Sequence, residues 1–92
     1  MLLLPAKVTL AEARDALRML AQALTREPDG GAVIDASGLQ QFDSAVLAVL
    51  LECQRIAQAW GKGFAVRNAP AKLLALARMY GVDALLSFDS AA

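Results

Sequence analysis

Apolar residues recur at spacings of three and four between positions 10 and 24, with charged residues between them. This period is typical of a helix that packs one side on a core. Thr9 and Glu12 form a capping-box pattern, which predicts that the helix begins there. Pro28, Gly30 and Gly31 then predict a turn. The predicted buried stripe consists of Leu10, Ala13, Leu17, Leu20, Ala21 and Leu24.

Short apolar runs separate the helical stretches and predict strands. The runs cover residues 2–8, 32–35, 64–67 and 85–88, and two more helices are predicted over residues 43–60 and 70–81. Strands that alternate with helices indicate an α/β fold with a mostly parallel central sheet of about four strands and three helices. Trp60 and Tyr80 are expected to anchor the ends of the second and third helices in the core.

Composition limits both the size of the fold and its class of partner. With 92 residues, 58% of them apolar, the chain is expected to form a single domain over residues 1–92. Nine basic and nine acidic residues give zero net charge, so no basic excess favours nucleic acid or an anionic membrane. Weak charge repulsion is also compatible with a homodimer.

The chemistry of the side chains argues against an enzyme. The chain has no histidine and a single cysteine, Cys53, and it lacks the glycine-rich motifs that bind phosphate. We therefore expect no catalytic residue, no metal and no cofactor. The N-terminal apolar run ends at Pro5 and Lys7, far short of the ~20 residues that cross a bilayer. We expect a cytoplasmic protein that does not insert into the membrane.

The most informative segment is FDSAVLAVLLE, residues 42–52. Asp43 or Ser44 can accept a hydrogen bond from a free amide at the helix start, and capping alone would explain both. Ser44 would also stand at the positive end of the helix dipole, where a phosphate could be tolerated.

The helix after this segment begins with an unbroken apolar stretch. No polar residue occurs from Ala45 to Leu51, so Leu47, Ala48 and Leu51 continue the side of the helix that turns polar later. Two explanations stay open: another element of the same domain covers these residues, or they form a contact surface for a second protein.

Residues 33–82 resemble the core of a STAS domain. The resemblance rests on a strand, a D-S/T-x-G-L type helix start at Asp43-Ser44, a strand after Gly63, and a last helix entered through Asn68-Ala-Pro70. In anti-sigma-factor antagonists of this family, the second serine of D-S-S-G-L is phosphorylated. Ala45 occupies that position here, and Val46 occupies the position of the family glycine.

The STAS subunit of the Mla phospholipid-transport ABC transporter is the more similar subfamily, because it carries a hydroxyl residue directly after the aspartate. The resemblance implies a non-enzymatic subunit that binds and supports the transporter ATPase, lies peripheral to the inner membrane through it, and serves outer-membrane lipid asymmetry. It assigns partner binding to Ser44 first, and to Asp43, Leu47 and Leu51. The alternative is an anti-sigma-factor antagonist controlled by phosphorylation of Ser44.

Overall fold

A computed structural model of the chain describes residues 2–26 and 31–89. Its helices are α1 (Leu10–Arg26), α2 (Ala45–Ala59) and α3 (Ala71–Met79). Its strands are β1 (Leu2–Leu3), β2 (Lys7–Val8), β3 (Gly31–Asp35), β4 (Gln41–Phe42), β5 (Gly63–Arg67) and β6 (Phe88–Asp89). Residues 27–30 of the turn predicted after α1 lie outside the described residues, and Gly31, its last residue, is the first residue of β3.

The main sheet has four strands in the order β1-β3-β5-β6, and each neighbouring pair is parallel. The α/β prediction, with a mostly parallel sheet and three helices, is confirmed. Since each new strand is added on the same side of the last one, right-handed crossovers place the helices on one face of the sheet. Ala32, Ile34 and Val66 are buried on that face, whereas Val33 and Ala65, which alternate with them, are half-buried.

A second, two-stranded parallel sheet joins β2 to β4. The sequence did not predict it, because two-residue strands are too short to show a period. Lys7 pairs with Gln41 and Val8 with Phe42. Each of these strands runs almost directly into a helix, β2 into α1 and β4 into α2. The small sheet therefore sets the starts of α1 and α2 side by side.

Local signals fix the helix ends. At the start of α1, the Glu12 carboxylate accepts the Thr9 N–H at 3.0 Å and the Thr9 hydroxyl at 2.5 Å. These bonds, first that from the Thr9 hydroxyl and then that from the Thr9 N–H, hold the pKa of Glu12 below its ordinary value. After α2 and α3, Gly61 and Gly81 adopt left-handed φ angles of 71° and 72°, which glycine accepts without a Cβ clash.

The core differs from the sequence-based expectation at three exposed side chains. Leu10, predicted to be buried, is 79% exposed, and Trp60 and Tyr80 are 63% and 57% exposed. The prediction that the two aromatic residues anchor helix ends in the core is therefore wrong. Both are C-cap residues, one position past the last residue of α2 and of α3.

Cys53 lies at the centre of the core and is inaccessible to water. Burial, with a smaller contribution from the Glu52 carboxylate, raises the pKa of its thiol to about 12. Because only the thiolate reacts with disulfide reagents, native protein at pH 8 should react with Ellman's reagent at least about 100 times more slowly than protein in 6 M guanidinium chloride. Equal rates would show that α2 opens readily in the native state.

Candidate functional site

The candidate site lies where the N-termini of α1 and α2 meet, and Asp43 joins them. Its Oδ1 accepts the Ala45 N–H at 2.9 Å, and its Oδ2 accepts the Leu10 N–H at 3.1 Å. Both donors belong to first helical turns, whose amides have no partner within the helix. Asp43 therefore caps α2 and also connects it to α1.

Ser44 is exposed at the N-cap position of α2, with φ −62° and ψ −15°. Its hydroxyl makes no capping hydrogen bond, since Asp43 supplies that bond. Of the two capping candidates in the sequence, Asp43 thus has the structural role. The Ser44 hydroxyl faces solvent at the end of the helix where the positive dipole lies.

The structure separates the two leucines assigned to partner binding. Leu47 is only 4% exposed and belongs to the core, so another part of the same domain covers it. Leu51 is half-buried against that core. Gln54, one turn after Leu51, donates a hydrogen bond to the Leu85 carbonyl, so the segment before β6 reaches this side of α2. The Leu47 side chain cannot contact a partner unless α2 moves.

Two residues that were not assigned to the site lie at its surface. Ala48 is exposed and is one helical turn after Ser44, so the two share one side of α2. Leu10 is largely exposed, and its backbone N–H is bonded to Asp43. We define the docking surface as Leu10, Ser44, Ala48 and the accessible part of Leu51. The sequence did not indicate Leu10 as a surface residue, because the apolar period placed it on the predicted buried stripe.

An open groove with a volume of about 620 Å³ lies beside the docking surface, on the other side of Asp43. The small β2–β4 sheet forms one wall and α3 forms the other. The lining residues are Lys7, Thr9, Gln40, Gln41, Phe42, Asp43, Lys72 and Leu76.

Side-chain hydrogen bonds join the carboxyl ends of β3 and β5. Asp35 Oδ1 accepts the Ser37 N–H at 2.9 Å and the Asn68 Nδ2 at 3.1 Å. These bonds, the Ser37 amide first, hold the pKa of Asp35 below its ordinary value. Asn68 thus fastens two strands rather than capping α3, whose N-cap position is Pro70.

Within residues 2–26 and 31–89, no three histidine, cysteine, aspartate or glutamate side chains could together hold a metal ion. No helix in the described part of the chain is both long and apolar enough to cross a membrane.

A family model described as "Mlab, STAS domain" matches residues 3–87. The chain belongs to the MlaB-type STAS-domain family. The match extends the resemblance seen over residues 33–82 to the last residue of β1, to β2 and α1, and to the whole segment between α3 and β6. No curated protein matches the chain significantly.

Val46 stands where the resemblance to the STAS family predicts a glycine. The Val46 side chain, at the position of the family glycine, is fully buried. It therefore fills space inside this STAS domain and leaves the outer side of α2 unchanged. On the outer side of the first turn of α2, the docking surface consists of the small, exposed residues Ser44 and Ala48.

Proposed function

We propose that this STAS domain is the non-enzymatic subunit that binds and supports the ATPase of an Mla phospholipid-transport ABC transporter, involved in outer-membrane lipid asymmetry. The observation that carries the proposal is the docking surface at the start of α2, where an exposed leucine stands beside small exposed residues. Membership of the MlaB-type family supports the choice of partner.

Burial of the docking surface provides a driving force for association. Leu10 exposes most of its side chain, and covering it would contribute roughly 1.5–2 kcal/mol. Ser44 and Ala48 present little bulk, so a facing helix can pack closely against α2. Asp43 stabilises this surface because its hydrogen bonds hold the starts of α1 and α2 together. Its role is therefore structural.

In the proposed complex, the ATPase performs the chemistry and this domain supplies a rigid face. The STAS domain lies in the cytoplasm, peripheral to the inner membrane through its partner, and needs no cofactor. Its α2 is well suited to such a face because its inner side is anchored in the core by Val46, Val49 and Leu50.

The proposal is tested by co-expression with the ATPase of the same organism's Mla transporter, followed by affinity purification. Ser44→Arg and Leu10→Asp should each remove the ATPase from the eluate, because the first adds bulk to the contact and the second adds a buried charge. Ser44→Ala is the matched control and should retain the ATPase, since it keeps the surface small. Normal recovery with both disruptive variants would refute the assignment.

The regulatory alternative, an anti-sigma-factor antagonist, is favoured by one observation. The Ser44 hydroxyl is exposed and makes no capping bond, so a kinase could reach it. A phosphate there would add about −1.5 to −2 charges beside Asp43. Intact-mass measurement after incubation with an anti-sigma kinase of the same organism separates the two functions, because transporter docking requires no added phosphate.

A further inference from the structure

The groove beside Asp43 has an apolar floor and positive charge at its rim. Phe42 and Leu76 are both partly buried and line it from opposite walls. Lys7 projects from the small sheet, and Lys72 projects from α3 one turn before Leu76. Asp43 also lines the groove, and it accepts the N–H of Leu10, a residue of the docking surface.

Lys72 occupies a position that is unfavourable for the stability of the free domain. It lies in the first turn of α3, where the positive end of the helix dipole disfavours a cation, and that turn contains no acidic residue. Lys72 is exposed, and among the residues that the structure describes no carboxylate forms an ion pair with it. The Lys72 ammonium, which the helix dipole destabilises and which has no ion-pair partner among the described residues, is therefore available to a negative group of another molecule.

The charges that line the groove are two positive and one negative, since Asp43 carries the single carboxylate among its described lining residues. That carboxylate accepts two backbone N–H donors, those of Leu10 and Ala45. Lys7 Nζ lies 3.8 Å from Glu12 Oε2, a long and exposed ion pair that leaves the ammonium accessible. The lining thus has an excess of positive charge, and Lys72 contributes the ammonium that has no ion pair within the described part of the chain.

The open shape of the groove favours a protein segment over a small molecule as its occupant. Sites for small molecules are enclosed and bury most of the ligand. This groove is open, and Asp43, one of its lining residues, directly precedes Ser44 of the surface that we assign to protein docking. We propose that the groove receives an acidic segment of the ATPase, with carboxylates at Lys7 and Lys72 and an apolar side chain against Phe42 and Leu76. This inference rests on the proposed function and extends its interface.

The test is the variant Lys72→Glu, whose binding to the purified Mla ATPase is measured by biolayer interferometry at several salt concentrations. We expect about tenfold weaker binding near 50 mM salt, mainly through slower association, and a smaller loss of affinity with added salt. The same variant should raise the Tm of the free domain by about 2 °C, because glutamate is favoured at a helix start. Weaker binding by a more stable protein excludes misfolding as the cause.

Arg78→Glu is the matched control, since it reverses one charge on the same helix at the opposite end. It should leave ATPase binding unchanged and lower the Tm slightly, because its arginine stands where the dipole favours a cation. Wild-type affinity and salt dependence for Lys72→Glu would overturn the groove assignment. If Ser44→Arg still abolished binding in that case, the docking surface would stand; if neither variant had an effect, both site assignments would be wrong. The proposed function itself would fail only if the wild-type domain did not bind the ATPase.

Discussion

Replacement of Leu47 by aspartate should leave the domain unfolded. The side chain is almost fully enclosed by the core, so a carboxylate there would lose its water without a partner, at a cost of several kcal/mol. The cavity and lost contacts add to this, as Leu→Ala changes in cores alone cost about 2–5 kcal/mol. Domains of this size are stable by only about 5–15 kcal/mol. Circular dichroism should show no cooperative thermal transition.

The adjacent residue provides the control for this prediction. Ala48→Asp introduces the same charge one position later, on the exposed side of α2, and should change the free energy of unfolding by about 0.5 kcal/mol or less. Urea titration measures this difference. A cooperative transition for Leu47→Asp close to that of Ala48→Asp would mean that α2 is rotated about its axis relative to the described structure.

Ala48→Arg should produce the largest loss of partner binding at an unchanged fold. Ala48 lies between Ser44 and Leu51 on the docking surface, and an arginine there would hold a facing helix away from α2. Loss of the central contact is expected to weaken ATPase binding by at least about 100-fold, roughly 2.7 kcal/mol. Isothermal titration calorimetry with purified ATPase measures the change, and the Tm should remain within a few degrees of the wild-type value.

Ala59→Arg is the matched control, because it makes the same substitution at the exposed C-terminal end of α2. It should bind the ATPase like the wild type. Equal losses for both variants would indicate that arginine on α2 interferes in a general way. Wild-type binding by Ala48→Arg would place the ATPase contact on another part of the domain.

The pair Leu47 and Ala48 also defines the mechanism of recognition that we propose. In the first two turns of α2, the inner side carries the large residues Leu47 and Leu50, which pack in the core. The outer side carries the small residues Ser44 and Ala48. A partner thus meets a firm surface that loses little conformational entropy on binding. The sequence-based assignment placed Leu47 at the contact, but the structure buries this side chain. We therefore expect a charged substitution at Leu47 to abolish binding by unfolding the domain.

Local signals in the sequence determined the order and type of the larger elements. The apolar period of α1, the bond pattern of Thr9 and Glu12, and Gly61 and Gly81 at helix ends all act between residues a few positions apart. The parallel sheet followed from the alternation of strands and helices. Asp43 and Ser44 were placed correctly at the start of α2 for the same reason.

Only the tertiary structure decided which side of α2 faces water. Adjacent helical residues point about 100° apart, and the unbroken apolar stretch from Ala45 to Leu51 contains no polar residue to mark the exposed side. The rotation of the helix follows from long-range packing, which buries Val46, Leu47 and Leu50 in the core. The same packing leaves Leu10 exposed and Leu51 half-buried. Sequence alone therefore located the site along the chain, whereas packing between distant segments selected the side chains that form its surface.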